Sequence, residues 1–283
     1  MFPSTRALLR RCLAPGLLAV VASSLVAPIP VATAATTATS SPDTTTVGQA
    51  VTAMAQLLNK DRAAAGLVAV RADARLMAIA AARSADMATK HYFSHTQPDG
   101  RNVFDILSGN GISWYSAGEI IAWNNYPMYL TAGTANAQWM ASPGHHAIIV
   151  SSDFNYFGVG LATDQSSGKK YWTAVFMKGP DRTGARAASE HSWLSPGPIS
   201  TTRIAQVHWS GSDVRLQVLT AGLRSFVVQR RVDDGAWQTI ASNTLATRLA
   251  ATVWMRHLNQ FRIAAIDRRS NQGAWVTMTW DLR

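Results

Sequence analysis

The periodicity of apolar residues changes once along the chain, and this change limits the folds that are available. Between residues 47 and 180, stretches with apolar residues every three or four positions alternate with strand-like stretches. After Pro196 only short strand-length runs remain, separated by turn residues. The pattern predicts an α+β domain over residues 47–180 and an all-β domain over residues 196–283. Small residues and Gly184 predict a linker over residues 181–195.

Two amphipathic helices are predicted at the start of the first domain. One begins at Val47, where Thr46 is a suitable N-cap, and ends near Gly66. The second covers residues 73–90, and its apolar period includes one charged residue, Arg83. Because each helix has one apolar stripe, each needs another layer to cover it. Strands are predicted at residues 116–123, 156–163 and 171–178.

The second domain is predicted to be a β-sandwich. Strand-length runs occur at residues 203–209, 214–219, 225–232, 237–240, 261–266 and 274–280, and Asp233-Asp234-Gly235 is a hairpin signal. Short strands at such regular spacing are typical of a sandwich of two antiparallel sheets.

The first residues have the composition of an export signal. Three arginines precede an apolar stretch at residues 12–26, and Ala32-Thr33-Ala34 offers small residues for cleavage. The apolar stretch is short for a membrane-spanning helix, and Pro28 and Pro30 follow it. These features predict a signal peptide over residues 1–34, a flexible tether over residues 35–46 and a secreted protein without a transmembrane anchor.

The cysteine content and the charge limit the kinds of functional site and binding partner that are expected. Cys12, the only cysteine, lies in the predicted leader, so the mature chain would contain no disulfide, cysteine nucleophile or thiolate metal ligand. Loss of the leader lowers the net charge from +10 to +7, because it removes three arginines and no acid. From residue 196 onward there are eleven arginines, no lysine and five aspartates. An anionic cell-wall polymer or lipid head groups are therefore candidate partners, and nucleic acid is not expected for an exported chain.

Two histidines and one acid stand beside turns or element ends. Ser142-Pro143-Gly144 interrupts a helix-like run and leads into His145. Proline disfavours the helical conformation in the residue before it, so a turn is expected immediately before this imidazole. His95 follows Tyr92-Phe93-Ser94, and Glu119 lies in the first predicted strand. These three side chains make a candidate site.

The same segments resemble bacterial members of the CAP superfamily, the SCP-like extracellular domains. The resemblance covers residues 47–180 and rests on the order of four motifs: Tyr92-Phe93-Ser94-His95, Ala117-Gly118-Glu119, the stretch from Trp139 to His145, and Gly158-Val159-Gly160. It implies a three-layer α/β/α sandwich with a central cleft that carries two histidines and two acids. His95 and His145 match the histidines, and Glu119 matches the first acid.

The chain departs from the family pattern at three points. No carboxylate in residues 139–142 matches the second acid. Ile120 stands where the family usually has asparagine, and His146 stands where it usually has arginine. The resemblance therefore implies a cleft with a reduced set of functional side chains.

The second domain resembles a fibronectin type III module. Trp209, the run at residues 226–232 and the segment at residues 260–267 fit its core pattern. Phe261 replaces the usual tyrosine, so the hydrogen bond of a tyrosine corner is absent there. The resemblance implies a spacer or adhesion unit.

The candidate site has two interpretations. In the first, His95 and His145 bind a divalent metal such as zinc, Glu119 orients one imidazole, and the cleft binds an unidentified extracellular ligand. In the second, the three side chains only hydrogen-bond to one another and hold the cleft walls. The alternative function is a hydrolase that acts on cell-wall or peptide substrates, with His95, Glu119 and His145 as its candidate catalytic residues.

Neighbouring residues receive structural predictions. His146 is expected at the rim of the cleft, because adjacent residues on a helix face different directions. Ser94 and Ser142 are expected to make turn or cap hydrogen bonds. Four tryptophans are expected to be core anchors rather than groove-lining residues: Trp114, Trp123, Trp139 and Trp172.

Overall fold

The computed structural model describes residues 43–283, so the predicted signal peptide and most of the predicted tether lie outside the described residues. The first domain has five helices and four strands: α1 Val47–Ala64, β1 Arg71–Ala72, α2 Ala74–Lys90, α3 Val103–Gly109, β2 Ser116–Asn124, α4 Met128–Ala141, α5 Pro143–Ile149, β3 Tyr156–Thr163 and β4 Lys170–Lys178. From residue 43 onward, no helix combines the length and the apolar character needed to cross a membrane.

The four strands of the first domain form one mixed sheet between two helical layers. Their order is β1-β3-β4-β2, with β1 parallel to β3 and the other neighbours antiparallel. Helices α1, α4 and α5 share a buried apolar cluster with one face of the sheet. Helices α2 and α3 pack on the opposite face. The predicted α+β class is confirmed, and β2 lies at one edge of the sheet.

The ends of the first two helices are set by side-chain caps. A capping box of Thr46 and Gln49 starts α1, and the carboxylate of Asp73 accepts two backbone N–H groups at the start of α2. Helix α2 stops at His91, which adopts a left-handed conformation with a φ of 54°. The chain therefore turns sharply out of α2 and enters residues 91–102, named here the His95 loop.

Close packing of α2 on β3 depends on two glycines. A Cβ atom on Gly158 would lie 2.1 Å from the carbonyl carbon of Leu76, and one on Gly160 would lie 2.2 Å from that of Ala80. Ser84 of α2 also donates a 3.1 Å hydrogen bond to the Gly160 carbonyl. Only glycine allows the helix backbone to approach the strand this closely. These contacts fix α2 against the sheet beside β2.

The second domain consists of two antiparallel sheets around one core. Its strands are β5 Arg186–Ser189, β6 Trp193–Pro196, β7 Thr202–Ser212, β8 Leu223–Val232, β9 Gln238–Thr244, β10 Arg248–Trp254, β11 Leu258–Asp267 and β12 Val276–Asp281. One sheet has the order β10-β7-β5 with β6 also on β7, and the other has the order β12-β11-β8-β9. Trp209, Phe226 and Phe261 lie in the shared core.

The structure corrects three sequence predictions. The predicted linker at residues 181–195 contains β5 and β6, which both pair with β7. The predicted strand at residues 214–219 is irregular and belongs to the connection between β7 and β8. Strand β10 was not predicted at all. In residues 214–219 the alternating apolar pattern is used for contact with the first domain, so Leu216 is buried without a sheet partner.

A docking loop, residues 213–222, joins the two domains. Leu216 packs into the α2 side of the first domain. The Gln217 side chain accepts a 2.7 Å hydrogen bond from the backbone N–H of Val68, and Asn155 donates to the carbonyl of Val218 at 3.3 Å. The domains therefore share buried apolar and polar contacts.

Three carboxylates reinforce this junction. One oxygen from each of Asp181, Asp213 and Asp267 lies within 4.8 Å of the others. All three side chains accept backbone N–H groups, those of Thr183, Ala221, Val214, Gly222, Arg269 and Asn271. Hydrogen bonds from backbone donors stabilise carboxylates that burial and mutual repulsion would destabilise. The cluster therefore organises the turns where the two domains meet.

Candidate functional site

A cleft runs along the edge strand β2, where the two helical layers extend beyond the sheet. Helix α5 packs on one side of β2, and Ile148 of this helix contacts the strand opposite Gly118. The His95 loop lies on the α2 side. His145 is therefore carried by one outer layer, His95 by the other, and Glu119 by the strand between them. We name this arrangement the β2 cleft.

Both carboxylate oxygens of Glu119 are occupied. Oε1 accepts a hydrogen bond of 2.9 Å from Nε of Arg83, and Oε2 lies 2.8 Å from Nδ1 of His95. The Glu119 side chain is only 3% exposed. Because an ionised carboxylate can only accept, the His95 ring must donate from Nδ1, and a neutral ring then keeps its lone pair on Nε2. Glu119 thus fixes the tautomer and the orientation of His95.

Arg83 holds Glu119 and the His95 loop together. Its guanidinium also donates to the Tyr92 hydroxyl at 2.8 Å and to the backbone carbonyls of Ser94 and His95 at 2.9 and 3.1 Å. Burial alone would lower the pKa of Arg83, but the ion pair with Glu119 outweighs burial and raises it. Arg83 is thus a buried cation that donates to both Glu119 and the His95 loop. Through these contacts it positions His95.

Further hydrogen bonds brace the other side of the His95 loop. Asp86 of α2 accepts from the Tyr92 hydroxyl at 2.6 Å and from Gln97 at 3.0 Å, and it forms an ion pair with Lys90. Burial, followed by the hydrogen bond to Asp86, raises the pKa of Tyr92 to about 12. His95 therefore projects from a loop that is fixed both before and after it.

His145 faces His95 from the first turn of α5. Burial lowers the pKa of His145 below its ordinary value, and the charge of His95 lowers it further. His145 is half-buried, whereas the neighbouring His146 is exposed, as predicted for a rim residue. Near neutral pH the site therefore presents His145 as a neutral imidazole.

Helix α5 is anchored at its far end by a second buried arginine. Arg62 of α1 donates to the carbonyls of Ile149 and Ser151 at 2.8 and 2.7 Å, and to that of Val68 at 3.2 and 3.3 Å. Burial lowers the pKa of Arg62 to about 10. A cation at the C-terminal end of a helix satisfies its last carbonyls and interacts favourably with the helix dipole. This contact fixes the helix that carries His145.

Two cavities open on the β2 cleft. One has a volume of 440 Å³ and is lined by His145 together with Phe93, Trp123, Tyr126 and Trp139. The other has a volume of 320 Å³ and is lined by His95, Glu119 and Ile148. Each histidine thus borders a hollow large enough for part of a small molecule.

The tryptophan predictions divide into two groups. Trp139 and Trp172 are fully buried core residues, as predicted. Trp123 is 40% exposed and Trp114 is half-buried, so the prediction of core anchors was wrong for Trp123. Trp123 and Trp139 both line the larger cavity. An aromatic wall next to His145 is therefore a feature that the sequence pattern did not predict.

The structure joins His95 and Glu119 by a hydrogen bond and places His145 close enough to His95 for their charges to interact, but it does not assemble the three into a three-ligand metal site. Across residues 43–283, the one group of three side chains with ligand atoms all within 4.8 Å of one another is the Asp181, Asp213 and Asp267 cluster. Ser94 accepts from the backbone N–H of Thr96, as expected of a turn residue. Ser142 precedes α5 without a side-chain cap bond.

Sequence reasoning missed Arg83 as a site residue, although a signal was present. Arg83 occupies the apolar stripe of α2, where a charged side chain needs a buried partner. The identity of that partner depends on the fold, because 36 residues separate Arg83 from Glu119 in the chain.

Part of the chain is similar to known proteins. Residues 55–176 match the family model described as "CAP: Cysteine-rich secretory protein family". An uncharacterised protein of Bacillus subtilis (strain 168), YkwD, is 34% identical over 122 residues, which are 43% of this chain and 44% of that protein. The uncharacterised membrane protein YlbC of the same organism is 31% identical over 122 residues, 43% of this chain and 32% of that protein. The match therefore spans less than half the length of either relative.

Solved structures also resemble part of the chain. An extracellular protein from Bacillus anthracis that contains an SCP domain has 25% sequence identity and a TM-score of 0.41, over 46% of this chain and 41% of that chain. An outer surface protein from Borrelia burgdorferi has 15% identity and a TM-score of 0.43, over 48% of this chain and 96% of that chain.

Proposed function

Because residues 55–176 carry a CAP domain, we propose that the protein is an exported binding protein whose β2 cleft holds an extracellular ligand through His95 and His145. The leader-like sequence and the description of the matched family as secretory support export. The packing of two antiparallel sheets in the second domain supports its likeness to a fibronectin type III module, and we propose that this domain is a spacer or adhesion unit.

This proposal rests on the observation that both oxygens of the Glu119 carboxylate accept hydrogen bonds. One oxygen binds Arg83 and the other binds His95. A buried acid whose two oxygens are both held in this way orients an imidazole and is poorly placed to take a proton from water. The cleft is therefore better suited to holding a ligand between two imidazoles than to general-base catalysis by Glu119.

A divalent metal such as zinc fits this donor set as a two-imidazole site. Nε2 of His95 is available because Nδ1 donates to Glu119, and a carboxylate behind a histidine is a common support of metal ligands. The lowered pKa of His145 keeps its ring in the neutral form that metals bind. A bound metal would supply a Lewis-acidic attachment point for an oxygen of the ligand, since two protein ligands leave positions open.

Zinc titration of the whole protein tests this proposal. Calorimetry with zinc chloride at neutral pH is expected to give one site in the wild type. His95→Ala and His145→Ala are each expected to lose it, because a single imidazole holds zinc far more weakly than two. His146→Ala is the matched control, since it removes an adjacent exposed imidazole that lies outside the cleft.

The outcomes separate the alternatives. Absence of zinc uptake by the wild type would remove the metal from the proposal and leave a metal-free cleft. Equal loss in the His146→Ala control would show that the zinc is held by surface imidazoles and not by the β2 cleft.

A hydrolase acting on cell-wall or peptide substrates is the second candidate, and one observation favours it. The Glu119–His95 hydrogen bond is also the arrangement by which a carboxylate strengthens an imidazole as a base. Product release from peptidoglycan or casein by the wild type, abolished in His95→Gln and retained in His146→Gln, would establish this function. No release by the wild type would leave the binding function alone.

A further inference from the structure

The outward face of the sheet β12-β11-β8-β9 carries an alternating stack of arginine and tryptophan side chains. The guanidinium of Arg262 lies 4.3 Å from the ring centres of both Trp237 and Trp275, and that of Arg231 lies 4.7 Å from Trp237. We name these four residues the arginine–tryptophan ladder. Its arginines come from adjacent strands and share one face, because Arg231 pairs across with Gln260, and Arg262 with Gln229.

The ladder arginines are held by neutral partners. Nε of Arg231 donates to Gln260, and Nε of Arg262 donates to Gln229 at 2.8 Å. Neither arginine has a carboxylate within 4.0 Å in the part of the chain that the structure describes. Their charges are therefore fixed in position but not neutralised.

Four of the five aspartates after residue 196 are engaged elsewhere, and the fifth, Asp234, lies exposed in the turn between β8 and β9. Asp233 pairs with His257, Asp281 pairs with Arg283, and Asp213 and Asp267 belong to the junction cluster. The positions directly across from the ladder arginines on neighbouring strands are glutamines and a threonine: Gln260 opposite Arg231, and Gln229 and Thr277 opposite Arg262. The face thus combines two ordered cations with hydroxyl and amide groups, in a domain whose formal charge is +6 by the count of eleven arginines and five aspartates.

Ordered guanidinium groups without acid partners suit phosphate oxygens. A guanidinium presents its N–H donors in a planar fork that matches phosphate, and Nε bonding leaves the terminal nitrogens available. Stacking on tryptophan restricts the side chains before binding, which lowers the entropy that a ligand must overcome. Two such groups side by side on a sheet favour a ligand with repeated anionic groups.

We propose that the arginine–tryptophan ladder is a docking surface for an extracellular polymer with repeating phosphate groups. A lipid bilayer fits the face less well, since Trp237 and Trp275 are half-buried between guanidinium groups and do not project as apolar anchors. The polymer surface is separate from the β2 cleft and independent of any metal there.

Binding of the whole protein to labelled long-chain inorganic polyphosphate tests this assignment. Fluorescence anisotropy at low salt is expected to show binding by the wild type that weakens steeply as salt rises. Arg231→Gln with Arg262→Gln is expected to weaken binding about tenfold or more and to lower the salt slope by roughly one to two. The matched control is Arg248→Gln with Arg269→Gln, which removes the same charge from exposed positions elsewhere and should change binding only a few-fold.

A second variant distinguishes loss of binding from loss of the fold. Thr277→Glu places a carboxylate across from Arg262 without removing any ladder residue, so the fold is kept and the bound phosphate is displaced. Loss of binding with an unchanged urea midpoint is the expected result. Equal weakening in the Arg248/Arg269 control would overturn the proposal in favour of diffuse charge. Binding to vesicles of phosphatidylglycerol and phosphatidylcholine with none to polyphosphate would overturn it in favour of a membrane.

Discussion

Two arginines, Arg62 and Arg83, are buried in the first domain and are stabilised in different ways. Arg83 has a carboxylate partner, and Arg62 has only backbone carbonyls. The first arrangement needs a matching acid on the sheet, and the second needs the end of a helix. Both arginines hold an element that carries a histidine, so the two imidazoles of the cleft are positioned by charges that lie behind them.

Removal of Arg83 should cost more stability than an ordinary surface change. Arg83→Met leaves Glu119 buried without its cation, and breaking a buried pair on one side typically costs about 3–5 kcal/mol. The free energy of unfolding in urea is the measurement. Arg75→Met on the same helix is the control, because that side chain is 48% exposed and its ion pair should contribute at most about 1 kcal/mol.

A double variant distinguishes a lost pair from lost packing. Arg83→Met with Glu119→Met removes both charges, so it is expected to be less destabilised than Arg83→Met alone. A double variant that is destabilised by the sum of the two single changes would show that the two charges do not act on each other.

The titration of His145 should report its surroundings. Its pKa is expected below the ordinary value of 6.5, and His95→Gln should raise it only partly, because burial is the larger cause. The unfolded chain then takes up this proton at a higher pH than the folded chain does. His145 therefore contributes a loss of stability as pH falls through 6.5 towards the folded pKa.

NMR of the imidazole carbons against pH measures this titration in the wild type and in His95→Gln. A His145 midpoint at or above 6.5 in the wild type would contradict the position of the ring in the cleft.

At the scale of residues, the three cleft side chains were predicted from the sequence because each lies beside a turn or an element end. Their supports were not found. Tyr92 and Asp86 interact across the end of a helix, and Arg62 reaches carbonyls 87 and 89 residues away. Motifs identify candidate site residues, whereas the contacts behind those side chains exist only once the layers have packed.

At the scale of elements, the close packing of α2 on β3 can be tested directly. Gly160→Ala places a Cβ against the Ala80 backbone, and overpacking of this kind costs about 1–3 kcal/mol or more. Gly133→Ala is the control, since Gly133 lies in α4 with no atom within 4 Å of the added Cβ. That change should stabilise the protein by about 0.5–1 kcal/mol, because glycine is a poor helix former.

Thermal or urea unfolding of both variants provides the measurement. A Gly160→Ala protein as stable as the wild type would mean that α2 can move away from the sheet, and Arg83 would then not be held as described.

Helices and strands were predicted well where a single periodicity of apolar residues dominated the segment. Strand β3 has the predicted bounds of residues 156–163, α1 begins after its predicted cap Thr46, and α2 begins within one residue of its predicted start. Helix α5 was missed because Ser142-Pro143-Gly144 was interpreted as a turn, although proline is well tolerated in the first turn of a helix. The strand predicted at residues 214–219 failed because alternation does not reveal whether apolar residues face a sheet core or another domain.

At the scale of the whole molecule, we expect the contacts of the docking loop to couple the unfolding of the two domains. Leu216→Ala leaves a cavity in the α2 cluster and is expected to cost about 2–5 kcal/mol, although the residue belongs to the second domain. Leu245→Ala is the control, because Leu245 is 78% exposed and should change stability by less than about 0.5 kcal/mol.

Hydrogen exchange at α2 and at β11 measures the coupling. Leu216→Ala should reduce protection in both elements. Reduced protection in β11 alone would indicate that the second domain opens independently of the first.

The contacts that Leu216, Gln217 and Asn155 make between the two domains have a consequence for cleavage of the chain. A protease that cuts between β4 and β5 would break the covalent connection while the hydrogen bonds and the apolar contact remain in place. The two fragments should then migrate as one species on gel filtration under native conditions and separate only in denaturant. The cleaved protein would still carry the two histidines of the β2 cleft and the arginine–tryptophan ladder in one complex.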